Sequence, residues 1–436
     1  MKRYDTYKDS GVQWLGEIPG HWDCVPFKSV FDLGKGLSIT KENLKDSGIN
    51  VISYGQIHSK NNKFSYVIPE LYRYVDESYL ITNPQSLANK EDFLFADTSE
   101  DVEGSGNFVR IDNEETIFAG YHTIIAKNKK SQSGNYLAYL LQSNKWKMQI
   151  WVQVHGIKVF SITRSILNST KLLLPPLSEQ HSIVTYLDDK CGKIDKMLEG
   201  KQKQIELLAE MKQRIIADAV TRGLNPDVKM KATNIPWLPE IPEHWEIKPI
   251  RAVLRENNEK SETGEEELLS LSQYTGVSRK RDAGKTGMFE AESTIGYKKV
   301  HPGQFVMNIM LAWNGSYAVS NLEGIISPAY CVFDFISDDE KMYFHYLWRL
   351  EVYQGAFKTE SRGIIDSRLR LYPNKFLPFP TICPPISEQR AIVSYITEKT
   401  TKIDTLAAKL QQEIESIKEY KQRLISDVVT GQIKVC

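Results

Sequence analysis

At 436 residues the chain is long for a single core, and its length predicts two to four domains. Hydrophobic residues make up 41% and charged residues 25%, as in an ordinary water-soluble protein, and Lys plus Arg equal Asp plus Glu at 55 each. This zero net charge counts against a histone-like or basic-arm nucleic-acid binder. No apolar run reaches the length of a membrane span or a signal sequence, so a cytoplasmic location is expected.

Neutrality holds segment by segment: residues 1–175 carry 20 basic and 19 acidic side chains, 176–226 carry 8 and 8, 227–384 carry 19 and 21, and 385–436 carry 8 and 7. A DNA-binding role would therefore need local patches on neutral domains, or a basic partner. Five cysteines, Cys24, Cys191, Cys331, Cys383 and Cys436, form no short pair, which supports neither a disulfide framework nor a zinc site.

In chain order, the first region, residues 1–175, opens with Trp14-Leu15-Gly16-Glu17-Ile18-Pro19-Gly20-His21-Trp22. Short β-rich runs follow at Ile49 to Tyr54 and Thr123 to Ala126, then a helical stretch from Asn135 to Ile150. Pro175-Pro176-Leu177-Ser178-Glu179-Gln180 then begins a long charged helix within residues 176–225, with Ser178 as the expected N-cap and Glu179 in the first turn. Its apolar positions alternate steps of four and three, Leu187, Cys191, Ile194, Leu198, then Ile205, Leu208, Ile215, Ala219, which is a heptad seam. Gly223 ends that helix and Pro226 prevents its resumption, and a short polar linker runs to Thr233.

The pattern then repeats. Trp237-Leu238-Pro239-Glu240-Ile241-Pro242-Glu243-His244-Trp245 opens a second region, residues 226–383, with β-rich runs at Leu268 to Leu271 and Tyr330 to Phe335 and a helical stretch from Lys341 to Gln354. Pro384-Pro385-Ile386-Ser387-Glu388-Gln389 begins a second helix over 384–436, with the seam Ile396, Ile403, Ala407, Leu410, Ile414, Ile417, Leu424, Val428. A shift of 209 aligns Lys193-Ile194-Asp195 with Lys402-Ile403-Asp404 and Lys212-Gln213-Arg214 with Lys421-Gln422-Arg423 without a gap. About 40 residues at ~1.5 Å each make a rod of about 60 Å with no core of its own, so each helix needs a partner, and the other helix has the matching pattern. Lys201, Lys212 and Lys421 interrupt the seams, as expected where one register is specified. Between their first and last few dozen residues the two regions are unlike, which suggests one scaffold presenting two different recognition surfaces. The predicted fold is mixed α/β, two globular domains and two long helices that pair with one another as a coiled coil, built as an internal repeat.

In these features the chain resembles the specificity subunits of type I restriction-modification systems over essentially its whole length. The motifs that carry the likeness are the Trp14 opening and its copy at Trp237, the Pro175 and Pro384 entries, and the Lys-Gln-Arg segments near the end of each helix. The resemblance implies two target-recognition domains, each reading half of a bipartite site in double-stranded DNA, held apart by two helices that pair antiparallel about a pseudo-two-fold axis, and a subunit with no catalysis or cofactor of its own. S-adenosylmethionine, ATP and Mg would belong to the partners, two methyltransferase subunits and two restriction subunits. Gly156-Ile157-Lys158 and Gly363-Ile364-Ile365 stand where the family often has Gly-Ser-Thr.

Catalytic motifs are fragmentary. Asn83-Pro84-Gln85-Ser86 lacks the second proline and the aromatic residue that an adenine methyltransferase uses to stack its base. Gly284-Lys285-Thr286 lacks the earlier glycine that lets a loop wrap phosphates, because Arg279 stands there. Pro239-Glu240 with Glu246-Ile247-Lys248 hints at a nuclease set, yet the equivalent residues in the first copy do not keep it. A stand-alone methyltransferase or nuclease dimerised by its helices, or an adaptor for proteins alone, remain the competing readings. For DNA contacts the candidates are Lys35, Gln56, Lys63, His122, Lys158 and Arg164 in the first domain and Gln273, Arg279, Lys280, Arg281, Arg362, Arg368 and Arg370 in the second. Arg and Gln pair bidentately with guanine and adenine edges, and Lys holds phosphate.

Overall fold

The computed structural model describes residues 2–129, 132–156, 158–282, 293–336, 338–363 and 368–435, so Ile157, Gly284-Lys285-Thr286, Ile364 and Ile365 lie outside the described residues. The chain divides into unit 1, Met1–Gln202 with Gln411–Cys436, and unit 2, Lys203–Leu410. Each long helix, Leu177–Arg222 and Ile386–Val429, contributes to both units.

Unit 1 is built on β1 (Phe31–Lys35), β2 (Ile49–Ile52), β3 (Arg73–Val75), β4 (Leu87–Ala88), β5 (Phe93–Ala96), β6 (Phe108–Arg110), β7 (Ile117–Ala119) and β8 (Thr123–Asn128). One antiparallel sheet has the order β6-β5-β8-β1 and a second has the order β3-β2-β7-β4, in which β7 runs parallel to β2. Every residue of β5 is buried because its sheet is covered on both sides. With side chains alternating across a strand, Phe93 and Phe95 join Phe27, Trp146 and Leu173 in one core while Leu94 and Ala96 join Ile52, Ile117 and Val109 in another.

Unit 2 uses β9 (Leu254–Asn257), β10 (Leu269–Ser272), β11 (Gly276–Arg279), β12 (Lys298–Val300), β13 (Phe305–Asn308), β14 (Tyr317–Val319), β15 (Gly324–Ile326) and β16 (Tyr330–Phe335). Its four-stranded sheet, order β9-β16-β13-β14, repeats the chain connectivity of β1-β8-β5-β6 strand for strand. The remaining strands follow suit: β10 pairs antiparallel with β11, β12 with β15, and a parallel bridge Leu268↔Ile325 stands where β2 and β7 lie side by side. The two regions are thus unlike in sequence and alike in topology. Strands of two to six residues tolerate wholesale substitution provided the alternation of faces is kept.

The repeated motifs meet one another. His21 Nε2 lies 2.8 Å from Glu179 Oε2, and His244 Nε2 lies 2.8 Å from Glu388 Oε2, above the fully buried Trp22 and Trp245. Gln180 donates to Pro175 O at 2.8 Å and accepts the Ser133 amide at 3.1 Å. Gln389 does the same with Pro384 O, 2.9 Å, and the Glu340 amide, 2.9 Å. Ser178 and Ser387 are not the N-caps that the sequence predicts, since the helices begin at Leu177 and Ile386. The first turn closes on Pro176 O, which takes the Glu179 and Gln180 amides at 2.9 Å, and on Pro385 O, so each serine already sits inside the helix, exposed. The stretch from Asn135 is two helices, Gly134–Gln142 and Asn144–Trp151, because Ser143 is extended and its hydroxyl accepts the Trp146 amide. That from Lys341 also splits, into Lys341–Trp348 and Glu351–Glu360.

Within unit 1 Lys421 Nζ reaches Asp195 at 2.6 Å and Lys201 Nζ reaches Glu413 at 2.5 Å, a descending order that makes the helices antiparallel. Within unit 2 Lys212 Nζ meets both Asp404 oxygens at 2.7 Å. The seam residues of both helices are buried or half-buried, and the lysines that interrupt the seam are those that reach across it.

One packing detail gives unit 2 a pH dependence. His345, on helix Lys341–Trp348, accepts the Val319 amide on Nδ1, and burial, reinforced by the Arg349 charge, pushes its pKa down to about 4. An unfolded histidine titrates near ~6.5. The proton therefore binds the unfolded chain first, and stability should fall as pH drops from about 6.5 to about 4 and change no further from this group below that. Urea midpoints measured across this window should show a slope that His345→Gln flattens; an unchanged slope would exclude the group.

Candidate nucleic-acid interface

The loop between β7 and β8, Gly120 to His122, forms one end of the unit 1 sheets. It lies between the ends of β1 and β2: Gly36 donates to Thr123 O at 3.2 Å, Tyr54 donates to Tyr121 O at 3.3 Å, and Gly120 donates to Ile52 O at 2.7 Å. A Cβ on Gly36 would strike Gly120 O and the Thr123 hydroxyl, so the close approach of these loops requires glycine. Cavities of opposite character open beside this junction.

The first, 410 Å³, is lined by Lys35, Lys127 and Arg164 together with Gly34, Gly36, Asn83, Gln85 and Ser86. Lys35 ends β1, Lys127 is the outward-facing residue of β8, and Arg164 opens the helix Arg164–Ser169, whose N-cap Thr163 accepts the Ile166 amide. None of the three cations has an ion-pair partner among the described residues, and the carboxylate at the rim, Asp32, is held by Lys129 at 3.0 Å. Exposed backbone and three uncompensated cations suit a phosphate. Sequence reasoning found Lys35 and Arg164 and missed Lys127, whose signal was its place as the half-exposed residue in an otherwise buried strand.

The second, 690 Å³, is lined by Tyr54, His58, Asp101, Asn107 and His122 among others, with Glu100 and Glu103 at its edge. His58 Nε2–H donates to Thr98 O at 2.7 Å, which leaves Nδ1 to accept Asn107 Nδ2 at 3.2 Å, and Asn107 Oδ1 accepts Lys147 Nζ at 2.7 Å. Burial, against the opposing pull of Asp101, lowers the Lys147 pKa to about 8. This relay fixes the orientation of Asn107 and the tautomer of His58. His122 sits at φ +54°, its Nδ1 donating to Asp97 at 3.1 Å and its ring 5.4 Å from that of Tyr54. Such a backbone for a non-glycine residue costs energy and is held by its surroundings.

The other candidates of unit 1 are not gathered here. Gln56 accepts the Ser53 amide at 3.1 Å as a capping-box residue, so its carbonyl oxygen serves local structure; Lys63 and Lys158 are exposed outside both cavities. In unit 2 Arg279 ends β11 and Lys280 begins the next turn, while Arg281 is 3.5 Å from Glu267. Gln273 sits in the β10–β11 turn, its carbonyl taking a hydrogen bond from Arg349. Arg362 and Arg370 are joined by reciprocal backbone hydrogen bonds of 2.9 Å, Arg362 lining a 440 Å³ cavity with Glu256 and Lys375, and Arg368 is exposed. Among the described residues no three His, Cys, Asp or Glu side chains are placed to hold a metal ion, and no helix is long and apolar enough to cross a membrane.

The chain is similar to known proteins of one family. Residues 19–207 match the type I restriction modification DNA specificity domain. The type I restriction enzyme MjaVIII specificity subunit of Methanocaldococcus jannaschii is 27% identical over 84% of this chain and 86% of its own length, and the putative MjaX specificity subunit of the same organism is 25% identical over 53% and 52%. A chain solved in work on complex assembly and conformational transition of the type I R-M system superposes with a TM-score of 0.66 at 15% identity, covering 95% of this chain and 99% of that one, which establishes the shared fold.

Proposed function

Since the chain is a specificity subunit of the type I restriction-modification kind, and recognises DNA sequence, we propose that each unit reads one half of a bipartite site while the helix pair carries the modification subunits. The carrying observation is that two units of identical strand connectivity present different side chains at matching places. The cations Lys35, Lys127 and Arg164 take backbone phosphates, about one each, and the carboxylate-edged cavity beside them accepts the amino edge of a cytosine or adenine. In unit 2 the hairpin bearing Gln273, Arg279 and Lys280, with Arg362, Arg368 and Arg370, takes the same part.

Members of this family are generally non-catalytic, and the work of methylation and cleavage is assigned here to partners that bring S-adenosylmethionine, ATP and Mg. Two copies of one modification subunit fit the helices. Met197 and Tyr420 in unit 1 and Leu406 and Met211 in unit 2 are exposed, and each pair maps onto the other by the shift of 209. Restriction subunits would join that assembly in the cytoplasm. Incubating the chain, with and without a methyltransferase partner, with random duplexes and selecting bound sites tests the reading. A bipartite selected site supports it, and no sequence preference in either arm would refute it.

Helix length should set the spacer of that site. Removing one heptad from each helix, residues 200–206 and 410–416, keeps the seam in phase and shortens each rod by about 10 Å. The spacer should contract by about three base pairs, at ~3.4 Å per pair, with both half-sites unchanged. Changed half-site bases with an unchanged spacer would sink the idea.

A further inference from the structure

Large apolar side chains scattered on a surface are ordinary, and what distinguishes two of them here is degree and placement. Ile81 is 86% exposed and Tyr274 84%, the highest values for large hydrophobics among the described residues, with Ile295 next at 63%. One lies in each unit.

Ile81 stands on a stiff support. The turn Tyr79–Thr82 is held below by the Tyr79 ring against buried Phe118, centroids 6.5 Å apart, and before by Asp76, whose carboxylate accepts the Ser78 amide and Lys45 Nζ, both at 3.0 Å. After it, Asn83 donates to Tyr79 O at 2.9 Å, and Ser86 is tied to Lys35 O at 3.0 Å. Asn83, Gln85 and Ser86 are wall residues of the cavity that holds Lys35, Lys127 and Arg164. A rigid apolar tip thus projects two residues from a seat of uncompensated positive charge.

Tyr274 crowns the hairpin of β10 and β11. The turn is fixed by Arg349, which donates to Gln273 O and, at 2.9 Å, to Tyr317 O, while the Tyr274 amide donates to Ser272 Oγ at 3.1 Å. Gly276 takes φ +70° to close the turn. Arg279 and Lys280 follow on the same hairpin.

We propose that Ile81 and Tyr274 are wedges that press between or against the stacked bases of the first and second half-sites, anchored by the cations beside them. Duplex DNA is the occupant that the charge favours: a protein surface has no general need for three unpaired cations next to an aliphatic tip, whereas an apolar residue that unstacks a base step is effective where phosphates are held on either side. Tyrosine supplies a stacking plane and isoleucine a blunt wedge, so the two half-sites would be deformed differently, and base identity would be read partly through the cost of that deformation.

The inference rests on the DNA-reading function, and the test separates the two. The full chain assembled with its methyltransferase subunits is bound to the selected duplex carrying 2-aminopurine at successive positions of each half-site in turn. The intact complex should brighten the probe at one step of each half-site, reporting unstacking. Ile81→Ala should abolish the signal in the first half-site alone and weaken binding about tenfold, with an unchanged salt slope, and Ile81→Leu should restore it. Tyr274→Ala should do the same in the second half-site, with Tyr274→Phe restoring it. No brightening in the intact complex, or brightening that survives both alanine variants, overturns the wedges while leaving DNA reading intact. Loss of methyltransferase subunits from either alanine variant would assign the tip to a protein contact and also overturn them. An intact complex that selects no site at all would instead fail the DNA-reading function.

Discussion

Replacing Lys35, Lys127 and Arg164 together by Ala should lower the salt dependence of DNA binding by nearly three units of log–log slope, at ~0.9 per phosphate contact. The same arithmetic makes the loss of affinity about 10²- to 10³-fold near 0.1 M salt and small near 1 M, because the released counterions are what the three cations contribute. Folding should survive, since none of the three makes an ion pair among the described residues and the sheet beneath them is closed by Phe93, Phe95 and Ile124. Arg279, Lys280 and Arg281 form the comparison in unit 2. Arg281 is already engaged by Glu267, so the triple alanine variant there should change the slope by about two units. Titrations at several salt concentrations check both, and a slope unaltered in the first variant would show that its cavity faces solvent or protein.

What the sequence disclosed and what it hid divide along a physical line. The frame was legible because it is a set of contacts between motifs: the histidine of each Trp opening needs the glutamate of a Pro-Pro entry, and the glutamine of that entry closes its own turn and ties down the helix start before it. Contacts of that kind constrain residue identity, so they recur recognisably. The recognition domains are constrained only in the alternation of faces, and unlike strands such as Phe93–Ala96 and Phe305–Asn308 occupy the same place in the two sheets. Their common topology could not be read from residues. The site was half legible for a related reason. Residue type marks Lys35 and Arg164, but convergence with Lys127, the withdrawal of Gln56 into a capping box and the His58–Asn107–Lys147 relay depend on which loops meet.

A fragment of residues 1–225 should form a homodimer that, with its methyltransferase partner, selects a palindromic version of the first half-site. Truncation removes Leu424, Ile425, Val428, Val429 and Ile433 from the core of unit 1. At a shift of 209 a second copy offers Ile215, Ile216, Ala219, Val220 and Leu224, apolar at every position, and Lys212 in place of the Lys421 that meets Asp195. Two copies pairing antiparallel obey a two-fold axis, and a symmetric protein reads an inverted repeat. One contact breaks the substitution. Lys201 meets Glu413 in the intact chain, whereas the residue equivalent to Glu413 is Gln204, so the homodimer forfeits this ion pair twice. The variant Gln204→Glu should restore it twice. At about 0.5–1 kcal/mol for each partly exposed pair, the dimer should tighten roughly 5- to 30-fold at low salt, and by little at 1 M. In the intact chain the same register sets residue 204 against Leu410, so there Gln204→Glu should be neutral or destabilising. Sedimentation of both fragments and thermal unfolding of both full-length chains measure these effects. A monomeric fragment, an asymmetric selected site, or a glutamate that stabilises the intact chain would mean that the seam does not distinguish its own partner from a second copy.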